Sequence, residues 1–377
     1  MLIKDRNYIL IAILTLLSTL VLWLPFIFKL PYINGLKVPT PNFQTVLKHW
    51  DGPLYVVSAK TLYDPQSPIL KEKPLGLKPE YFAAHLPLYP LTMLPFTLFI
   101  DFPKAMLVST LIASVLLYMF FYYFIKNLKI TKDPLLLTIV FMFLTPRMLV
   151  IRSIGSPEPL FLLLVLCSIF FFIKNKYIWS GIFGALACAT KVPGIALFLA
   201  YLIYIGYEYY KTKKINLNYW GVFLIPLGLV AVFLLYAYQY KDFFAFFHTG
   251  GVVPFKLLPF SVFNLDARWV GTGWLEEIVL LYFFYISATL QIYTYQWARP
   301  IFYFMIIFSF AIITVQHRDV SRYALPMLPF ALMSFQQFLT SKKFIITLLL
   351  LLPAIYFYSW NFMIQNSAPI SDWQPFL

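Results

Sequence analysis

The sequence predicts an all-α protein that crosses a membrane many times, and three observations carry that prediction. Apolar runs of about 20 residues recur along nearly the whole chain, the length an α-helix needs to cross a ~30 Å hydrocarbon core. Only 12% of the 377 residues are charged and 61% are hydrophobic, so no water-soluble domain of ordinary composition fits. The runs do not alternate every second residue, as the strands of a transmembrane barrel would.

The first run, 8–28, follows Lys4 and Arg6. It is long for a signal-peptide core and no small-x-small cleavage site follows it, so it reads as a retained signal anchor with the N-terminus in the cytoplasm. Residues 29–103 are then expected to form a long extracytoplasmic loop, rich in proline and too long to count in the positive-inside rule. Within it, 42–63 suits short helices lying along the interface. The proline-broken stretch 86–100 is expected to lie partly in the interface too, because counting it as non-spanning puts every later lysine-rich short loop in the cytoplasm. Spans follow at 104–125, 134–151, 159–173, 178–189, 195–210 and 219–239. After a second long outer loop, 240–275, come spans at 276–297, 300–315, 323–340 and 344–360, and an outer tail, 361–377. The count is about eleven crossings in one integral-membrane domain.

The formal net charge of +14 does not point to nucleic acid. The 29 lysines and arginines are spread through short loops without a dense tract, as positive-inside charge facing membrane lipid or phosphate would be. Both cysteines, Cys167 and Cys188, fall inside apolar runs, which argues against a disulfide framework.

Charged residues gather at the outer mouths of the spans, whose interiors carry almost none. A transporter would place ionisable groups near the midplane, and no internal repeat is visible, so an outer-face pocket is favoured over a conduit. Each outer connection contributes to it: His49 and Asp51 from the first, Arg152 and Glu158 from the second, Lys191 from the third, His248 from the fourth, and Arg318, Asp319 and Arg322 from the fifth. A sugar carried on a polyprenyl phosphate would bring its phosphodiester to that rim with its tail between helices. Transfer needs a carboxylate to take the acceptor's proton. It also needs fixed cations for the charge developing on the leaving phosphate, a fork from Arg and a point charge from Lys.

Each residue also has an ordinary role open to it. Asp51 could cap a helix, Glu158 could answer a helix dipole, Lys191 could snorkel, Arg322 could anchor at the interface, and the histidines could simply be hydrogen-bonded neighbours. Most of the aromatic residues, Trp269, Trp274, Trp360 and Trp373 among them, suit an interfacial belt. Four histidines without paired spacing, and no HExxH or CxxC, give no zinc site. No cofactor is required, and room is left only for a divalent ion between Asp51 and a second carboxylate. The absence of a glycine-rich phosphate loop disfavours a soluble nucleotide-sugar donor.

Lys48-His49-Trp50-Asp51-Gly52-Pro53-Leu54-Tyr55, with Ala59 beyond it, resembles the Trp-Asp-Gly/Ala…Tyr…Ala motif in the first lumenal loop of GT-C glycosyltransferases of the GPI mannosyltransferase II (PIG-V) type. Tyr81-Phe82-Ala83-Ala84-His85-Leu86-Pro87-Leu88-Tyr89-Pro90 is similar to that family's Ala-Phe-Phe-Pro-x-Tyr-Pro, and Gly155-Ser156-Pro157-Glu158-Pro159-Leu160-Phe161 to its Ser-Glu-Ser-Leu-Phe. Thr190-Lys191-Val192-Pro193-Gly194 resembles its Thr-Arg-x-x-Gly, with Lys for Arg, and Arg322-Tyr323-Ala324-Leu325-Pro326-Met327-Leu328-Pro329 its Arg-Tyr-x-x-Pro-x-x-Pro. The motifs come in family order across residues 45–330. Two depart from it: His85 stands where an aromatic is usual, and Ser-Glu-Ser becomes Ser-Pro-Glu-Pro. The Pro-Leu-Tyr-Pro form and Leu62-Tyr63-Asp64-Pro65 also resemble bacterial polyprenyl-phosphate-mannose-dependent mannosyltransferases.

The resemblance implies a GT-C fold in the cell or ER membrane and an inverting transfer of a hexose, mannose above all, from a polyprenyl or dolichyl phosphate to a lipid or glycan acceptor on the extracytoplasmic face. It implies Asp51 as base; together with the charges at the outer rim this gives the expectation that Lys191, Arg322 and Arg318 hold the donor phosphate and that His49, Trp50, His85, Tyr89, Arg152, Glu158 and His248 surround the substrates. A lipid or oligosaccharide flippase and a non-catalytic membrane scaffold are the competing classes.

Overall fold

The computed structural model describes residues 5–73, 76–214, 216–249, 256, 258–264, 275–317, 319–366 and 372–377. Of the described residues 75% are helical. Among the described residues the one sheet is a hairpin, Tyr32–Ile33 against Leu36–Lys37, whose turn residues Asn34 and Gly35 take positive φ. Among the described residues six helical segments are long and apolar enough to cross a membrane: Arg6–Ile27, Phe102–Asn127, Val192–Thr212, Leu217–Tyr240, Gln296–Thr314 and Lys342–Ile364. Shorter helices pack among them.

In chain order the helices are α1 (Arg6–Ile27), α2 (Gln44–Leu47), α3 (Gly52–Thr61), α4 (Pro68–Lys71), α5 (Leu88–Met93), α6 (Phe102–Asn127), α7 (Pro134–Phe143), α8 (Pro146–Ile151), α9 (Glu158–Ile173) and α10 (Tyr177–Thr190). They continue with α11 (Ile195–Thr212), α12 (Leu224–Tyr240), α13 (Ala245–His248), α14 (Glu276–Ile292), α15 (Arg299–Thr314), α16 (Val320–Tyr323), α17 (Leu328–Ser334), α18 (Gln336–Leu339) and α19 (Lys342–Ile364). Capping sets several starts: the Asp5 carboxylate accepts from Asn7 N–H at 3.1 Å, and that of Asp101 from Lys104 N–H at 2.9 Å.

Where single helices over 134–151 and 323–340 are expected, the chain breaks. Pro146 has no N–H and disfavours helical backbone at Thr145, so α7 ends and α8 begins on a new axis. In 320–339 Pro326 and Pro329 stand at the starts of a 3-10 turn, Leu325–Met327, and of α17, and a further break at Phe335 sets off α18. The stretch 86–100 becomes α5 and a 3-10 turn, Leu94–Leu98.

Asp5, at the start of α1, pairs with Lys126 at the end of α6, and the Asn7 side chain donates to the Tyr122 hydroxyl at 2.8 Å. The two helices are therefore antiparallel, and 28–101 begins and ends at the same end of the bundle. Ile9, Ile13, Leu16 and Leu20 on α1 are exposed, the face that lipid would cover. Lipid tails are as apolar as leucine, so helix association there leans on packing and interhelical hydrogen bonds. Ser168 of α9 supplies one set, donating to the Ser180 carbonyl at 2.8 Å and meeting the Tyr201 hydroxyl at 2.9 Å.

Arg152 supplies another, deep between α1, α6 and α7. Its guanidinium donates to Ser18 Oγ at 2.6 Å, the Met142 carbonyl at 3.2 Å and the Tyr118 hydroxyl at 3.3 Å. It is fully buried, and here it departs from the expected place beside a substrate. It answers the carbonyls left open at the C-terminal end of α7, where the Pro146 break stops the helix.

Candidate active site

Two glycines bring the first acidic motif to the second. A Cβ on Gly52 would lie 3.0 Å from Met106 Sδ and 3.4 Å from Gly155 Cα, and a Cβ on Gly155 would overlap Met106 at 2.1 Å. Both backbones thus press on one methionine of α6. Asp51, just before Gly52, and Glu158, three residues after Gly155, end up beside the same guanidinium.

That guanidinium is Arg322, on the short α16. Its Nη2 donates to Asp51 Oδ2 at 3.0 Å and its Nε to Glu158 Oε1 at 2.7 Å. Lys191 Nζ donates to the same Glu158 oxygen at 2.8 Å, and Ser156 Oγ donates to the other. Lys191 gets there because α10 stops at Thr190 and Lys191 itself is extended ahead of the Val192–Gly194 turn. The result is a quartet of two acids and two bases. Glu158 is its enclosed centre, with a side chain only 3% exposed, whereas the Asp51 carboxylate is 38% exposed and faces a cavity.

The cavity has a volume of about 1490 Å³ and is lined by all four of these residues together with Trp50, His85 and Arg147. Apolar side chains form other walls: Ile195 and Leu199 of α11, Ile278 and Leu281 of α14, and Phe308 and Ile312 of α15. It exceeds the ~300–1,000 Å³ usual for a small-molecule site. One part is charged and the rest greasy.

Burial by itself would push the Asp51 carboxyl up, but the charge of Arg322 and the hydrogen bond from it bring the carboxyl below its usual range. Burial pushes the His85 imidazole down to about 4, with the cations Arg322 and Lys191 adding to the effect. His85 therefore stands neutral in the wall at pH 7, its ring edge-to-face with Tyr55 at 4.8 Å.

Other expected site residues lie elsewhere. His49 is fully buried behind Trp50, with ring centroids 5.6 Å apart, and does not line the cavity; burial pushes it down to about 3. Tyr89 is fully buried and shares a 2.6 Å hydrogen bond with Thr110, whose hydroxyl in turn accepts from Ser156 N–H at 3.3 Å. It braces the loop of Glu158 from behind. His248 is two-thirds exposed and pairs with Asp242 at 2.6 Å; its neighbours Phe246 and Phe247 line the cavity instead. Trp269, Trp274 and Arg318 lie outside the described residues.

Two sets of lining residues are absent from the sequence expectation. Arg147, placed there inside a span, is freed by the Pro146 break and turned toward the cavity. Its Nη2 donates to Asp319 Oδ1 at 2.6 Å, and its guanidinium lies 4.4 Å from the Phe362 ring and 5.0 Å from that of Trp50. Arg322 lies 4.7 Å from the same indole, so Trp50 serves two cations. A charge directly after a proline inside an apolar run was the available signal. Asn361, Phe362 and Gln365, expected in the outer tail 361–377, also line the cavity, because α19 runs on to Ile364.

Among the described residues no three His, Cys, Asp or Glu side chains gather as a metal group, and the carboxylates of Asp51 and Glu158 face Arg322. No protein-family model matches the chain, and no curated protein matches it.

Proposed function

We propose that this membrane protein is a glycosyltransferase of GT-C architecture with about eleven crossings. It transfers a hexose, mannose by the resemblance of its motifs, from a polyprenyl phosphate to a lipid or glycan acceptor on the extracytoplasmic face. The observation that supports this is the Asp51–Arg322–Glu158–Lys191 quartet opening onto a cavity whose other walls are apolar. The charged wall suits a phosphodiester and a sugar, and the apolar walls suit a prenyl tail.

In the proposed step Asp51 takes the proton of the acceptor hydroxyl as that oxygen bonds to the anomeric carbon. The bond from that carbon to the phosphate oxygen breaks, and its electron pair leaves with polyprenyl phosphate. Attack opposite the leaving group inverts the anomeric centre. Lys191 and Arg322 stabilise the departing charge. Both are already matched by carboxylates, so an arriving phosphate competes with Asp51 for Arg322. As that pairing loosens, the Asp51 carboxylate becomes more basic.

The test is mass spectrometry of lipid and glycan products after incubation of the purified protein with a panel of polyprenyl-phospho-sugars. A hexose-extended product supports the proposal. The same amphipathic cavity also suits a lipid or oligosaccharide flippase, and movement of labelled lipid across vesicles without sugar transfer from any carrier favours that reading.

A further inference from the structure

The turn that aims Asp51 is held by a residue from the far end of the chain. Trp50 has φ of 50°, a left-handed conformation that bulky side chains rarely adopt. That conformation lays the indole against Arg147 and Arg322 and sets the direction of the next residue, Asp51.

Asn366, two residues beyond the end of α19, spans the turn with its side-chain amide. Its Nδ2 donates to the Lys48 carbonyl at 3.0 Å, and its Oδ1 accepts from Trp50 N–H at 3.4 Å. Phe362, at the end of the same helix, packs edge-on against the Trp50 indole at 4.7 Å. Beyond it, Phe376 is buried, and Trp373 lies 4.5 Å from the Lys48 ammonium. The carbonyl two residues before the strained residue and the N–H of that residue itself are thus both held by one side chain.

We infer that Asn366 is a positioning residue. It holds the 48–51 turn in its left-handed form so that the Asp51 carboxylate faces the cavity beside Arg322. On this account the stretch 361–366 is part of the site's frame. The kinetic consequence rests on the proposed glycosyl transfer, whereas the geometric claim does not.

The test uses the purified full chain with Asn366→Ala and with Asn366→Asp, which keeps the acceptor and loses the donor. Amide hydrogen exchange over 44–55 and steady-state sugar transfer are both measured. Asn366→Ala is expected to speed exchange at 48–52 by at least about tenfold, with α6 and α10 unchanged. It is expected to lower kcat by about 10–100-fold with the donor KM within about threefold, because Lys191 and Arg322 still hold the phosphate. Asn366→Asp is expected to fall between. Unchanged exchange in both variants overturns the inference, as does faster exchange with kcat unchanged. If the wild-type protein transfers no sugar, the proposed function fails while the exchange result still decides the hold on the turn.

Discussion

Arg322 donates to Asp51 at 3.0 Å across 271 positions of chain, and the same guanidinium holds Glu158 at 2.7 Å. Asp51 therefore sits in a shared ion-pair network, and its basicity depends on what else occupies Arg322.

The first consequence concerns Glu158. Removing its charge leaves Lys191 and Arg322 enclosed with a single carboxylate between them, and breaking a buried pair in this way costs about 3 kcal/mol. Glu158→Gln should lower the unfolding midpoint in detergent, and Lys191→Met should lower it less. The double variant should lose less than the sum of the two, by about 1 kcal/mol or more. Strict additivity would show that Glu158 and Lys191 do not act as a unit.

Acid should destabilise the fold in two windows. His85 is held down at about 4 and His49 at about 3, against about 6.5 for an unfolded histidine. Between pH 6.5 and 4 the unfolded chain takes up protons that the folded chain refuses, so stability falls as pH drops, for His85 by on the order of 3 kcal/mol. Asp51 acts in a lower window. Its depressed carboxyl contributes stability above the unfolded value, and that stability is lost as pH falls below 3.8 toward its folded value. Thermal unfolding at pH 7.5 and 4.5 should show a fall that His85→Gln makes smaller. Equal falls in the two proteins would remove His85 from the account.

Arg152 separates structure from catalysis. It ties α1, α6 and α7 together with no contact to the cavity, so Arg152→Ala should cost roughly 2 kcal/mol through the Tyr118 hydroxyl and Met142 carbonyl it leaves behind. The kcat/KM of the folded fraction should stay within about threefold of wild type. A large selective loss of kcat/KM would return Arg152 to the substrate site.

Membrane orientation has its own check. Cys167 and Cys188 are buried, so an introduced cysteine labels over a low background. A cysteine at Lys60 should react with an impermeant reagent from outside the cell, and one at Lys213 should not. The reverse pattern would invert the proposed orientation.

The helical class was legible because membrane helices announce themselves by length and apolarity. So was the convergence of Asp51, Lys191, Glu158 and Arg322, since charges at one rim of a bundle have few places to go. Asn366 was not legible, and Arg147 was legible only as a charge directly after a proline. Arg147 depends on a proline break that turns a supposed span into two helices. Asn366 depends on a long-range return of the chain that local pattern cannot encode. His49 and Tyr89 belong to the same motifs as cavity residues, and Arg152 to the same connection as Glu158, yet all three pack away from the cavity, because sequence adjacency does not say which side of a turn faces it. The hairpin at Asn34-Gly35 carries a recognisable turn signal, but within a long polar loop it says little about function.

Whether Asp51 takes a proton in the proposed sugar transfer is read from the transfer rate of Asp51→Asn beside wild type with a polyprenyl-phospho-mannose donor. Asparagine keeps the shape and an oxygen toward Arg322 but cannot accept the proton, so transfer is expected to fall by at least about 100-fold while thermal unfolding shows the fold retained. Transfer at the wild-type rate by a folded Asp51→Asn protein would contradict that role.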